Sequence, residues 1–378
     1  MYKDLVKLPI IWVDRNDKLE ALCESWLEQP LLAVDTEFMR TQTYYPIPGL
    51  IQICDGLSSY LIDPLKVDDL YPLVEVFDNE NCLKVLHSCS EDLDVFQQSL
   101  GCLPKNMLDT QIAGAFTNCG FSVGFGNITK HVLDVELPKT ETRSDWLARP
   151  LSESQRQYAA LDVEYLFLLA KGLIEKLHQN NRYDWVMAET GAVVKAQFAN
   201  QDPENSYLRI KSGWKLGERQ LAVMQSICRW RENAAQMENV PRNRLIKESA
   251  IFDIANACPT HQTQLRNIDG LTDRMIRTYG KDIIDIVGTV LGMPDSELPR
   301  PMHKPLSVEE RRVMKSLKQA VANVSVQTGI PSEMLLKKKD YEYLIRADDK
   351  NIEFWPPSIA DWRKELLGDS LVEVLAEA

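Results

Sequence analysis

Leu31-Leu32-Ala33-Val34-Asp35-Thr36-Glu37-Phe38, bounded by Pro30 before it and the polar run Arg40-Thr41-Gln42-Thr43 after it, sets the reading of the whole chain. A short apolar run between such boundaries predicts a buried strand. Strand residues two apart share a face, so Asp35 and Glu37 would project side by side from its far end. Two carboxylates about 4 Å apart, at an effective dielectric of about 20, repel by roughly 4 kcal/mol. A cation is called for, and a divalent metal held by oxygen ligands meets the need. On its own, Asp-x-Glu at a strand end also suits a turn or an edge-strand charge pair, so the rest of the chain has to decide.

At 378 residues the chain is too long for one typical core and predicts two or three domains. Hydrophobic residues at 44% and charged residues at 26% are ordinary for a globular protein. No apolar run approaches the ~18 residues that would span a membrane. Lys3, Asp4, Lys7 and Pro9 interrupt the N-terminal stretch, which argues against a signal peptide. The eight cysteines include no C-x-x-C pair, so reduced core thiols in a cytoplasmic protein are expected and a zinc site is not. A net charge of -12 argues against a basic nucleic-acid coat protein, but not against an enzyme whose basic groups are local.

Along the chain, 19–27 reads as a helix before the Asp35 strand. Leu50–Cys54 and Ser59–Ile62 read as strands joined through the hairpin signal Asp55-Gly56. A helix over 67–77, a strand over 84–87 and a helix capped by Ser88 or Ser90 and stopped at Gly101 follow. Helices then dominate from Met107 to His178, which gives an α/β domain with a mixed sheet. Beyond residue 180 the pattern is helical only, and it repeats. Val240-Pro241-Arg242-Asn243-Arg244-Leu245 is echoed by Ile330-Pro331-Ser332-Glu333-Met334-Leu335, and Tyr279-Gly280 by Leu367-Gly368, at offsets of about 90 and about 88. Two small all-α domains are expected, with Pro294, Pro299, Pro301 and Pro305 between them. The boundaries so read are 1–200, 210–294 and 300–378.

Two further acids join the first pair. Asp92 falls in the first turn of a helix, where the helix dipole alone would account for it. Ser152 and Gln155 form a capping box that opens a helix, on which Tyr158, Leu161, Asp162, Tyr165 and Leu169 share one face. An aspartate in an apolar stripe is costly unless paired or metal-bound. Tyr158 taken alone suits a core tyrosine with a wet hydroxyl.

Taken together, Asp-x-Glu on a strand, Asp opening a later helix and Tyr-x-x-x-Asp on a last helix resemble the three motifs of the DEDD exonucleases, tyrosine branch. The surrounding words, Val34-Asp35-Thr36-Glu37-Phe38, Thr43-Tyr44-Tyr45-Pro46, His87-Ser88-Cys89-Ser90-Glu91-Asp92, Leu108-Asp109-Thr110-Gln111 and Ser144-Asp145-Trp146-Leu147-Ala148-Arg149-Pro150, are similar to those of the ribonuclease D family. The repeated tail resembles the helicase-and-RNase-D C-terminal (HRDC) domain. The resemblance implies a ribonuclease-H-like sheet, followed by two HRDC-like domains. It implies a catalytic set of Asp35, Glu37, Asp92, Asp162 and Tyr158, with the four acids holding two Mg²⁺ or Mn²⁺ ions and Tyr158 orienting or deprotonating the attacking water. The activity implied is 3′→5′ hydrolysis of RNA to 5′-mononucleotides, with tRNA precursors as substrates.

Thr36, Phe38 and Trp146 are candidate substrate contacts. Phe38 suits base stacking or core packing equally, whereas Trp146 sits in a polar, proline-ended loop that packing explains less well. His87 and Asp109 are expected as structural neighbours. Arg242 with Arg244, the run from Arg300 to Lys318, and Lys337-Lys338-Lys339 are local basic clusters. They fit solvated faces, nucleic-acid contacts, oligomer contacts or a wall around the site. A DNA-directed exonuclease and a noncatalytic RNA-binding scaffold are the rival functions.

Overall fold

The computed structural model describes residues 7–138, 141, 144–200, 202–349 and 351–377; Lys3 and Asp4 of the N-terminal reading lie outside them. The strands are β1 (Ile10–Val13), β2 (Leu31–Met39), β3 (Ile47–Cys54), β4 (Ser59–Ile62), β5 (Leu83–Leu86) and β6 (Met107–Asp109). The helices of the first half are α1 (Asn16–Trp26), α2 (Pro72–Asp78), α3 (Ser90–Leu100), α4 (Thr110–Phe116), α5 (Phe125–Leu133), α6 (Glu153–Gln179) and α7 (Tyr183–Asn200). The second half carries α8 (Glu218–Met237), α9 (Arg242–Leu245), α10 (Glu248–Ala257) and α11 (Asp273–Leu291). After these come α12 (Val308–Thr328), α13 (Ser332–Leu335), α14 (Lys338–Arg346) and α15 (Asp361–Ala376). Among the described residues no helix is long and apolar enough to cross a membrane.

The chain forms two compact units. The first comprises 1–39, 48–194 and 306–378, the second 40–47 and 195–305. The first unit is built on a six-stranded sheet of order β1-β4-β3-β2-β5-β6. β3 and β4 run antiparallel, whereas β1/β4, β2/β5 and β5/β6 run parallel, so the sheet is mixed as expected. The Asp55-Gly56 turn forms because Asp55 Oδ1 accepts the Leu57 and Ser58 amides at 2.8 and 2.9 Å, and Gly56 takes a φ of 85° that only glycine adopts without strain.

Several local expectations are corrected. β1 and β6 were not foreseen in the sequence; each is very short, and its pairing comes from residues far along the chain, Ile10 with Ser59 and Met107 with Lys84. α2 begins at Pro72 rather than at 67, with proline in its first turn, where a missing N–H costs nothing. Neither Ser88 nor Ser90 caps α3, whose N-cap is Cys89 without a side-chain hydrogen bond. Ser88 takes a left-handed φ of 58°, and the Asp109 carboxylate accepts the Ser88 and Cys89 amides, both at 3.0 Å.

The two sheet faces feed separate cores. Leu32, Val34, Ile51, Ile53 and Ile62 pack with Leu19, Trp26, Phe77 and Phe96 of α1, α2 and α3. Ala33, Val85 and Leu108 pack with Phe116, Ile128, Val163 and Leu169 of α4, α5 and α6. That second core continues without a break into α12–α15: Trp362 stacks on Trp185 at 5.0 Å and meets Phe116 edge-on at 5.4 Å. Arg363, 3% exposed, pairs with buried Glu189 and donates to the Met334 carbonyl at 2.9 Å. The second unit has its own core, in which Leu221, Met224 and Ile227 of α8 meet Ile251 and Ile254 of α10 and Ile283 and Val287 of α11.

Candidate active site

The alternation of β2 builds the site. Leu32 and Val34 enter one core and Ala33 the other, so Asp35 and Glu37 continue the face of Ala33, and Thr36 the face of Val34. α6 packs along β2 on the Ala33 side. Its start is fixed by the capping box, in which Ser152 Oγ accepts the Gln155 amide at 3.1 Å and Gln155 Oε1 accepts the Ser152 amide at 2.9 Å. Asp162 is thereby brought to the strand, and carboxylate oxygens of Asp35, Glu37 and Asp162 lie within 4.8 Å of one another. All three remain partly accessible.

Asp92 stands outside that set. It is 7% exposed and accepts the Thr36 hydroxyl at 2.5 Å, so α3 is tied to β2 from the other face. The Thr36 hydroxyl is thus already engaged, a role its reading as a substrate contact did not include. Asp109, whose carboxylate also accepts the Gln111 amide at 2.7 Å, fixes the turn from which α3 starts. His87 lies beside it, with Nδ1 2.9 Å from the Thr110 hydroxyl.

The crowding is visible in the electrostatics. Burial, then the Asp162 charge, pushes the Asp35 carboxyl up to about 8. Burial and the charges of Asp35, Asp162 and Asp92 push Glu37 up to about 9. Asp162 rises to about 7 through burial, while the Tyr158 hydroxyl bonded to it pulls the other way. Asp92 rises well above the carboxylate range through burial and the Asp35 charge. The Tyr158 phenol is also raised, by burial and then by the Asp162 and Glu37 charges. Burial leads every shift, and at Asp35, Glu37, Asp92 and Tyr158 neighbouring negative charge adds to it.

Trp146 corrects a sequence expectation. It is 3% exposed and packs with Leu50, Leu61, Leu151, Ala159 and Ala160, its ring 6.2 Å from that of Tyr158. A buried indole has little face left for substrate, and its position is that of a wall behind Tyr158. Two features that sequence reasoning missed hold it there. Arg149 spends its guanidinium on Asp63 (Nε and Nη2 both at 2.7 Å), the Gly49 carbonyl (2.6 Å) and the Trp146 carbonyl (2.9 Å). Gly49 lies so close that a Cβ there would sit 2.7 Å from the Trp146 carbonyl oxygen. Arg149 was visible within the Trp146 word, but its partner Asp63 is 86 residues away. Phe38 is half-buried near the end of β2.

The donor set fits a hard divalent cation, since it gathers carboxylate oxygens whose mutual repulsion a cation would relieve. Residues 10–178 match the 3′–5′ exonuclease family model, and residues 220–287 match that of the HRDC domain. The sheet, the acidic cluster and these matches define a 3′–5′ exonuclease with an appended HRDC domain. Ribonuclease D of Pseudomonas paraeruginosa is 38% identical, the match covering 98% of each chain. Ribonuclease D of Escherichia coli is 34% identical over 97% of this chain and 98% of its own. The crystal structure of E. coli RNase D, described as an exoribonuclease involved in structured RNA processing, superposes with a TM-score of 0.88 at 33% identity, covering 98% of this chain and 99% of that one. This chain belongs to the ribonuclease D family of 3′–5′ exoribonucleases.

Proposed function

We propose that the protein is a metal-dependent exonuclease that removes 5′-mononucleotides from RNA with a free 3′ end, tRNA precursors with short 3′ tails among its substrates. The observation that carries this reading is the approach of the Asp35, Glu37 and Asp162 carboxylates to within 4.8 Å at the end of β2. Asp35, Glu37, Asp92 and Asp162 would hold two Mg²⁺ or Mn²⁺ ions, which when bound supply Lewis acidity at the scissile phosphate and make a water nucleophilic at neutral pH. The chain's own residues do the rest. Thr36 holds Asp92 in place through its hydroxyl. Tyr158, whose hydroxyl bonds to Asp162, orients or deprotonates the attacking water. Trp146 keeps the Tyr158 ring in position, and Phe38 stacks on the terminal base. The exposed Arg311, Arg312, Lys315 and Lys318 of α12, with Lys337, Lys338 and Lys339, supply phosphate contacts. A cytoplasmic setting accords with the unpaired cysteines.

The test is an RNA carrying a single-stranded 3′ tail, labelled at either end and incubated with Mg²⁺ or Mn²⁺. Stepwise shortening of the 5′-labelled strand, release of 5′-mononucleotides and loss of both in Asp35→Asn are expected. Internal cuts, or undiminished activity in EDTA, would refute the reading. An oligonucleotide pair differing only in the 2′-OH separates RNA from DNA as the substrate.

A further inference from the structure

The Thr43-Tyr44-Tyr45-Pro46 word is not explained by the acidic cluster. It lies in the loop between β2 and β3, and residues 40–47 fold as part of the second compact unit, with 195–305. Within that unit Tyr44 is 5% exposed and held on several sides. Its hydroxyl donates to the Glu232 carboxylate of α8, which is 1% exposed, and accepts from Gln236 Nε2 at 3.1 Å and Arg242 Nη2 at 2.8 Å. The Arg242 guanidinium also lies over the Tyr44 ring at 4.6 Å and reaches Glu232 Oε2 at 2.6 Å. Asn239, just past α8 with a left-handed φ of 49°, accepts the Tyr44 and Tyr45 amides on one oxygen, each at 3.1 Å. Arg40 Nε donates to the Tyr44 carbonyl at 2.9 Å.

A mere connector has no use for a buried acid and phenol that a half-buried arginine satisfies together, because losing any one leaves the others unpaired at a cost. This connector starts where the catalytic strand ends: Glu37 stands seven positions before Tyr44 in the chain. We propose that the first helical repeat is a positioning element of the exonuclease centre, gripping Tyr44 through Glu232, Arg242 and Asn239 so as to fix the exit of β2 and with it the Glu37 carboxylate. Tyr44 is then a positioning residue, and Arg242, which the sequence offers as a phosphate contact, is committed to this anchor. The inference rests on the exonuclease reading of the acidic cluster, since its kinetic consequence needs that chemistry.

The test uses the full chain and the variants Tyr44→Phe, which keeps the ring under Arg242, and Glu232→Gln, which keeps the shape. Hydrogen exchange in the metal-free protein is read over residues 31–39, and kcat and KM are measured on a short single-stranded oligoribonucleotide. Expected are exchange about fivefold faster at the end of β2 and a kcat about tenfold lower with KM within about twofold. The double variant should be no worse than the poorer single one, because both act through one anchor. If Tyr44→Phe fails to fold, Glu232→Gln and Arg242→Lys carry the same comparison. Unchanged exchange over 31–39, or faster exchange with wild-type kcat, would overturn the proposal. A wild-type protein inactive on RNA would sink the exonuclease reading instead, while the exchange data would still report on the anchor.

Discussion

Replacing Asp162 by Asn in the metal-free protein separates charge from shape. The carboxylate oxygens of Asp35, Glu37 and Asp162 lie within 4.8 Å of one another, so one ionised pair at that distance costs about 3.5 kcal/mol at an effective dielectric of about 20. The folded chain therefore holds protons that the unfolded chain releases: Asp162, Asp35 and Glu37 are pushed up to about 7, 8 and 9, against unfolded values of about 3.9 to 4.3. Where the folded state binds more protons, stability falls as pH rises. The cluster is thus harmless below about pH 4, costs stability by degrees as pH climbs from there, and its penalty levels off once the folded values of about 7 to 9 are passed. Each tenfold gain in proton affinity on folding is worth at most about 1.4 kcal/mol. Partial exposure, and the sharing of protons among the three acids, bring the effect well below that ceiling. We expect Asp162→Asn to gain about 2 kcal/mol at pH 8 and little at pH 4.5. For a unit of this size that is a rise of roughly 4 °C in melting midpoint. The assay is thermal melting of both proteins in EDTA across pH 4.5 to 8.5, repeated with Mn²⁺, which should raise the wild-type midpoint more than that of the variant. The same substitution should lower exonuclease turnover by at least about 10³-fold. A wild-type midpoint in EDTA that stays flat or rises between pH 5 and 8, or a variant no more stable at pH 8, would refute the reasoning.

Tyr158→Phe keeps the ring against Trp146 and loses only the hydroxyl, so turnover should fall by about 10²-fold with RNA affinity little changed; single-turnover rates and binding titrations compared side by side decide it. Gly49→Ala drives a methyl to 2.7 Å from the Trp146 carbonyl, and the displaced Trp146 should cost several-fold in turnover while Gly49→Ser costs at least as much; wild-type rates in both would mean that the loop simply yields. Truncation after Pro305 removes α12–α15 and uncovers Phe116 and Trp185, so the catalytic unit should lose several kcal/mol or fail to fold, visible as a collapsed melting midpoint. A truncated chain with native stability would show the shared core to be dispensable.

How much of this was legible follows from distance along the chain. β2 could be read because its apolar run, its boundaries and its two acids lie within the eleven residues from Pro30 to Arg40. The capping box of α6 spans four positions, and it placed Tyr158 and Asp162 on one face. The elements that were misread take their partners from afar: β1 pairs with β4, the start of α3 is held by Asp109, and Thr36 is engaged by Asp92. Trp146 was misjudged for the same reason. Its loop is polar in sequence, but Arg149 turns inward to Asp63 and Gly49 and closes that loop over the indole.

The duplicated tail shows how one backbone can be put to two uses. Pro241 and Pro331 have nearly the same backbone angles, φ -57° and ψ 136° against φ -55° and ψ 141°. Each precedes a four-residue helix ending in a buried leucine, Leu245 or Leu335, and a buried extended residue, Ile246 or Leu336. The residue after the proline differs. In the first copy it is Arg242, which grips Tyr44 and Glu232; in the second it is Ser332. The second copy instead turns Arg363 of α15 toward Met334 and Glu189 and shares its core with the catalytic sheet. What the copies have in common is the apolar pattern that folds them, and what differs is the set of polar groups that each one buries. The basic residues of the two copies therefore do not form one pool: Arg242 and Arg363 are spent on holding the chain together, whereas Arg311, Arg312, Lys315 and Lys318 of α12 stay exposed.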